Sequence, residues 1–75
     1  MINMELAERY INEPEFRSKV DSTLHMKGIL LENGVSTENM TICSSMNCYR
    51  WCEKTGDPAK PPFCILCTVK VLQNG

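Results

Sequence analysis

Five cysteines crowd into the second half of this 75-residue chain, at positions 43, 48, 52, 64 and 67. A chain this short buries little apolar surface against the conformational entropy lost on ordering it. Folds of this size commonly depend on disulfides, a metal or a partner subunit. The odd cysteine count argues against a closed disulfide framework. Residues 1–20 hold no uninterrupted apolar run, being broken by Glu5, Glu8 and Glu13, so no secretory signal is expected. Read from Met1, the chain is expected to stay in a reducing cytoplasm, where stable disulfides are rare. No stretch approaches the roughly 18 apolar residues that span a membrane.

The spacing of the sulfurs points to a metal. Cys64-Ile65-Leu66-Cys67 leaves two residues between thiols, and Cys48-Tyr49-Arg50-Trp51-Cys52 leaves three. Both spacings fall within the range of structural zinc sites. Four thiolates close a tetrahedral site with no open position, an arrangement that holds a fold together rather than one that turns over substrate. Cys48, Cys52, Cys64 and Cys67 are therefore the expected zinc ligands. Cys43 is surplus to that set and can replace Cys48 or Cys52 in it. Trp51 and Phe63 stand next to ligands, where they can shield the sulfurs. A zinc site contributes on the order of 10 kcal/mol of folding energy in peptide models. That is more than the few apolar side chains of a short segment can supply.

Other sulfur chemistry fits less well. The spacings match no common ferredoxin run. A redox Cys-x-x-Cys normally opens a helix in a βαβ context, whereas Cys64 is expected to open a strand. No Ser/His/Asp or Cys/His arrangement suggests catalysis, and the chain is not expected to be an enzyme. His25, the lone histidine, reads as a surface or partly buried side chain. The five methionines read as gap-filling core or surface residues.

Residues 1–40 read as helical. Asn3 is expected to cap a first helix carrying Met4, Leu6, Ala7, Tyr10 and Ile11 at helical spacing. Pro14 suits the first turn of a second helix, where its missing N–H has no partner to lose. Phe16, Val20 and Leu24 follow at four-residue steps and are expected on one face. Gly28 makes one long helix doubtful, and a restart at Asp21 or Ser22 is the alternative. Asn33-Gly34 is a helix stop, because glycine supplies the left-handed residue that helix ends favour. Ser36 or Thr37 is expected to cap a last short turn.

Residues 41–75 read differently. Gly56-Asp57-Pro58 marks a turn, and Pro61-Pro62 stiffens the approach to Phe63. From Phe63 to Leu72, apolar residues alternate, with Ile65, Cys67, Val69 and Val71 on one side, and a strand is expected. Charge also divides. Residues 1–40 carry four Lys/Arg against seven Asp/Glu, giving −3, and residues 41–75 carry four against two, giving +2. The net −1 does not call for nucleic acid.

Residues 5–40 also carry short motifs of a known type. Glu5-Leu6-Ala7 and Glu13-Pro14-Glu15-Phe16-Arg17-Ser18-Lys19-Val20 are followed by Leu30-Leu31-Glu32-Asn33-Gly34 and Ser36-Thr37-Glu38. This resembles the helical leader domains of ribosomally made, modified peptides, which are related to nitrile hydratase and to small nitrogen-fixation-associated proteins. The resemblance implies that modifying enzymes read residues 1–40 and act on the cysteine-rich remainder.

The sequence thus predicts an α+β fold in one small domain over residues 1–75. A helical half (1–40) packs on a short zinc-stabilised β/loop half (41–75). The expected function is macromolecular binding, as an adaptor or regulator with a protein partner. Tyr49, Arg50, Trp51 and Phe63 are the candidate surface, since aromatics and arginine are favoured at binding hot spots. The amphipathic helices also offer faces for a homo-oligomer. The alternative is a precursor of a modified peptide, with a helical leader and a cysteine-rich core.

Overall fold

Ile2, Leu6 and Tyr10 recur at four-residue steps beside a second row, Asn3, Ala7 and Ile11. Together these rows form the inner face of α1 (Ile2–Asn12). The computed structural model describes residues 2–74 and is an α+β fold. After α1 come α2 (Pro14–Asp21), α3 (Lys27–Glu32), a 3-10 turn (Thr37–Asn39), β1 (Met40–Ile42), β2 (Trp51–Glu53) and α4 (Ile65–Asn74). None of these helices is long and apolar enough to cross a membrane.

Proline and glycine punctuate the helical half as expected. Pro14 opens α2 from an extended Glu13. The Arg17 guanidinium donates back to the carbonyls of Tyr10 and Ile11, at 3.1 and 2.9 Å, and so closes the end of α1. Phe16 and Val20 are buried one turn apart. Leu24 is not with them: it is 76 % exposed. Helix α2 stops at Asp21, where the Ser22 and Thr23 hydroxyls donate to the carbonyls of Ser18 and Lys19. Such back-bonding competes with helix propagation. The chain restarts only at Lys27, after a left-handed Met26. At the end of α3, Gly34 is left-handed. Its N–H reaches the Leu31 carbonyl, and the Val35 N–H reaches the Leu30 carbonyl. This is the Schellman closure that Asn33-Gly34 predicts.

β1 and β2 pair antiparallel, with Thr41 opposite Cys52. A lone two-stranded hairpin is marginal in water. Here the free edge of β2 is covered. Trp51 N–H donates to the His25 carbonyl at 3.0 Å. Glu53 N–H donates to Asn3 Oδ1 at 3.0 Å, and Asn3 Nδ2 donates to the Glu53 carbonyl at 2.8 Å. Asn3 is therefore not the cap of α1. It lies within the helix and is buried, on the same row as Ala7. Its amide makes the two bonds of a missing neighbouring strand.

Asn3→Ala removes a donor and an acceptor at once and leaves both Glu53 backbone groups without partners. Losses of this kind cost about 2–3 kcal/mol. The melting temperature should fall by about 10–20 °C, read by circular dichroism. A melting temperature unchanged from wild type would show that the edge contact does not hold the hairpin.

Where a strand from Phe63 to Leu72 is expected, the chain forms α4 from Ile65 onward. Ile65 and Val69 are its buried residues. They are four apart, so they satisfy a two-residue alternation and a helical turn equally. Val71, which a strand would place with them, is exposed. Cys64 fixes the choice: its carbonyl accepts the Thr68 N–H and the Thr68 hydroxyl, both at 2.9 Å. One apolar core then joins Leu6 and Ala7 of α1, Phe16 and Val20 of α2, and Ile29 and Leu30 of α3 to Ile65 and Val69 of α4. Met26 and Met40 are buried in it, Met4 and Met46 are exposed, and Met1 lies outside the described residues.

Candidate metal centre

The hairpin and α4 are brought together by a second, smaller cluster built on cysteine. Cys43, Cys52 and Cys64 are buried in it, with Cys48, Phe63, Leu66 and Cys67 packed around them. Leu66 touches this cluster and the main core alike.

Local backbone structure delivers each sulfur. Cys43 leaves β1 with its N–H bonded to the Arg50 carbonyl at 2.9 Å, one more rung of the ladder. The chain then loops away and returns through a left-handed Asn47, which sets Cys48 on the way into β2. Ser44 N–H donates to the Pro62 carbonyl at 2.8 Å and ties the loop to the segment that carries Phe63 and Cys64. Cys64 precedes the first residue of α4, and Cys67 lies in its first turn.

The sulfurs of Cys43, Cys48, Cys64 and Cys67 all lie within 4.8 Å of one another. Cys43 to Cys67 is 3.7 Å, Cys48 to Cys64 is 3.7 Å, and Cys48 to Cys67 is 3.9 Å. A tetrahedron of sulfurs at zinc–sulfur bonds of about 2.3 Å has edges of about 3.8 Å. A disulfide would need sulfurs about 2.05 Å apart. The four thiols are thus free, and are spaced as ligands of one metal ion.

The expected set and the observed set differ in one member. Cys48, Cys64 and Cys67 come together as the spacing predicts. Cys52 does not join them, and Cys43 takes its place. The reason is the hairpin register. Cys52 is opposite Thr41, and Cys43 is bonded to Arg50. Cys52 therefore sits two residues deeper in the sheet, below the loop that carries the other two sulfurs. The Cys43-x4-Cys48 spacing was itself a usable signal, being at the upper limit of the structural zinc range. His25 is exposed and contributes no ligand.

Electrostatics distinguish Cys43, Cys48, Cys52 and Cys64. Burial pushes Cys52 up to about 12, and the neighbouring Cys43, Cys48 and Cys67 sulfurs add to it. Burial likewise raises Cys64 and Cys43. Backbone N–H groups work against it: Cys67 N–H faces the Cys64 sulfur, and those of Ser45 and Cys64 face Cys43. The Cys64 N–H lies 3.3 Å from Cys43 Sγ. At Cys48 burial also acts upward but is outweighed. The Arg50 N–H, the sulfurs of Cys43 and Cys64, and the Arg50 side chain bring it down to about 7. Arg50 Nη1 is 3.9 Å from Cys48 Sγ, a cation beside a cluster that becomes anionic when it binds a metal.

Of the four residues expected at a binding surface, Tyr49 is 74 % exposed on the hairpin loop. Arg50 is half-buried against the sulfurs. Trp51 is half-buried against the main core, with Lys27 Nζ 5.8 Å from its ring centroid. Phe63 packs on the cysteine cluster. No family model, curated protein or solved structure matches this chain.

Proposed function

We propose that this chain is a small zinc-stabilised binding module of the reducing cytoplasm, acting as an adaptor or regulator and not as an enzyme. One observation carries the reading: four sulfurs at tetrahedral spacing, drawn from a hairpin loop and a helix start. An all-sulfur donor set suits a soft or borderline cation rather than magnesium or calcium. Zinc needs only these ligands and this geometry. Cys43, Cys48, Cys64 and Cys67 would hold the ion, which supplies folding energy and no reactive position. The part left for a partner is the hairpin loop. Tyr49 and the 89 % exposed Met46 project there beside Arg50, in the composition that protein interfaces favour.

Native mass spectrometry tests the site. The purified protein should carry one ion, about 65 Da above the chain mass, and lose it on acidification or on adding a chelator. A metal-free folded protein would refute the proposal. So would stepwise loss of water from the chain, the mark of a modified-peptide precursor.

A further inference from the structure

We infer that the Cys48–Cys67 edge of the cluster is a peroxide-sensitive modification site, at which oxidation to a disulfide releases the ion. The inference rests on the metal reading above and concerns the regulation of the same site. The four sulfurs are not equivalent. Cys43 and Cys64 are almost wholly shielded, while Cys48 and Cys67 are half-buried. These two line one open cleft of about 450 Å³ between the hairpin loop and α4, together with Arg50 and Lys70. Their sulfurs are 3.9 Å apart, and they are the one pair in the tetrad in which both members meet that cleft. A small oxidant entering from solvent therefore reaches these two first.

The chemistry is a two-electron exchange. One thiolate sulfur attacks a peroxide oxygen, the O–O bond breaks, and a sulfenic acid and hydroxide form. The second thiolate attacks the sulfenic sulfur and displaces its oxygen as a second hydroxide. Solvent protonates both hydroxides to water. The two sulfurs are oxidised to one disulfide, and the peroxide is reduced to two waters. Closing the pair from 3.9 Å to bonding distance (about 2.05 Å) needs a small shift of the loop toward α4. Of the two thiolate electron pairs, one has gone to the peroxide and the other forms the S–S bond, so neither sulfur remains a thiolate ligand. The ion keeps only Cys43 and Cys64 and leaves, and the loop bearing Tyr49 loses its anchor to the remaining sulfurs.

Hydrogen peroxide is the probe, added to full-length metal-loaded protein, and the ion released is separated from the protein by ultrafiltration and measured against a peroxide-free control. Free thiols are then blocked under denaturing conditions, and linked peptides are sequenced by fragmentation. The expected result is one ion released per disulfide, with the link between Cys48 and Cys67. Cys43, Cys52 and Cys64 should be recovered as blocked thiols, and a dithiol reductant with added zinc should restore binding. A link through Cys43, Cys52 or Cys64 would overturn the inference. So would over-oxidised sulfur without a link, or an ion held until the protein unfolds. A protein that carries no ion before oxidation refutes the metal reading instead. The linkage found in that protein still decides whether the Cys48–Cys67 edge is the reactive one.

Discussion

Cys64→Ser should abolish metal binding and melt the cysteine-rich half. The substitution is informative because serine preserves nearly everything else Cys64 does. Serine is among the preferred residues before a helix, so its hydroxyl can take over the Cys67 N–H that the sulfur accepts. The carbonyl that receives Thr68 is backbone and unchanged. What serine cannot supply is a thiolate. With one of four ligands gone, most of a metal contribution on the order of 10 kcal/mol is lost. Small domains have total stabilities of about 5–15 kcal/mol, so the variant should not hold its fold. The damage should spread beyond the site, because α4 also covers Leu6 and Ala7 of α1 in the main core. Amide NMR dispersion should collapse for the residues from β1 to α4, and chelator added to wild type should reproduce the same spectrum. A well-dispersed Cys64→Ser spectrum with metal retained would remove the case for a metal-held fold.

How far the sequence announces this structure depends on how local each cause is. The Pro14 start, the Gly34 stop and the turn at residues 56–58 follow from backbone chemistry within a few residues, and all three stand where the sequence puts them. Leu24 fails because one side-chain decision, the hydroxyl bonds at Ser22 and Thr23, ends α2 before the repeat is complete. The segment after Phe63 fails for a different reason. Its β-branched residues favour a strand in isolation, but burial of Ile65 and Val69 against α1 and the Cys64 cap favour a helix. Asn3 looks like a cap from its neighbours alone, because its partner, the edge of β2, lies 50 positions away. The metal centre divides in the same way. The Cys64 and Cys67 pair is set by one helical turn and was legible. Cys43 against Cys52 depends on the register of a hairpin, and spacing alone does not contain that.

That register makes the sharpest contrast between two single substitutions. Cys43→Ser should lose the ion, whereas Cys52→Ala should keep it. Cys43 Sγ is 3.7 Å from Cys67 Sγ and receives the Cys64 N–H. Removing it breaks a link between hairpin and helix as well as a ligand, and the expected outcome is loss of the bound ion with unfolding of the second half. Cys52 is buried among the same residues but acts as a small apolar filler. Its thiol is raised to about 12, first by burial and then by the nearby sulfurs, and its sulfur lies outside the group of four. Replacing it by alanine leaves a void the size of one sulfur and should cost about 1–2 kcal/mol, with one ion still bound. Metal stoichiometry by native mass spectrometry, read beside thermal unfolding, separates the two effects. Retention of the ion by Cys43→Ser together with its loss from Cys52→Ala would mean that the hairpin is paired in another register. The second pair of ligands would then be Cys48 and Cys52, with three residues between them.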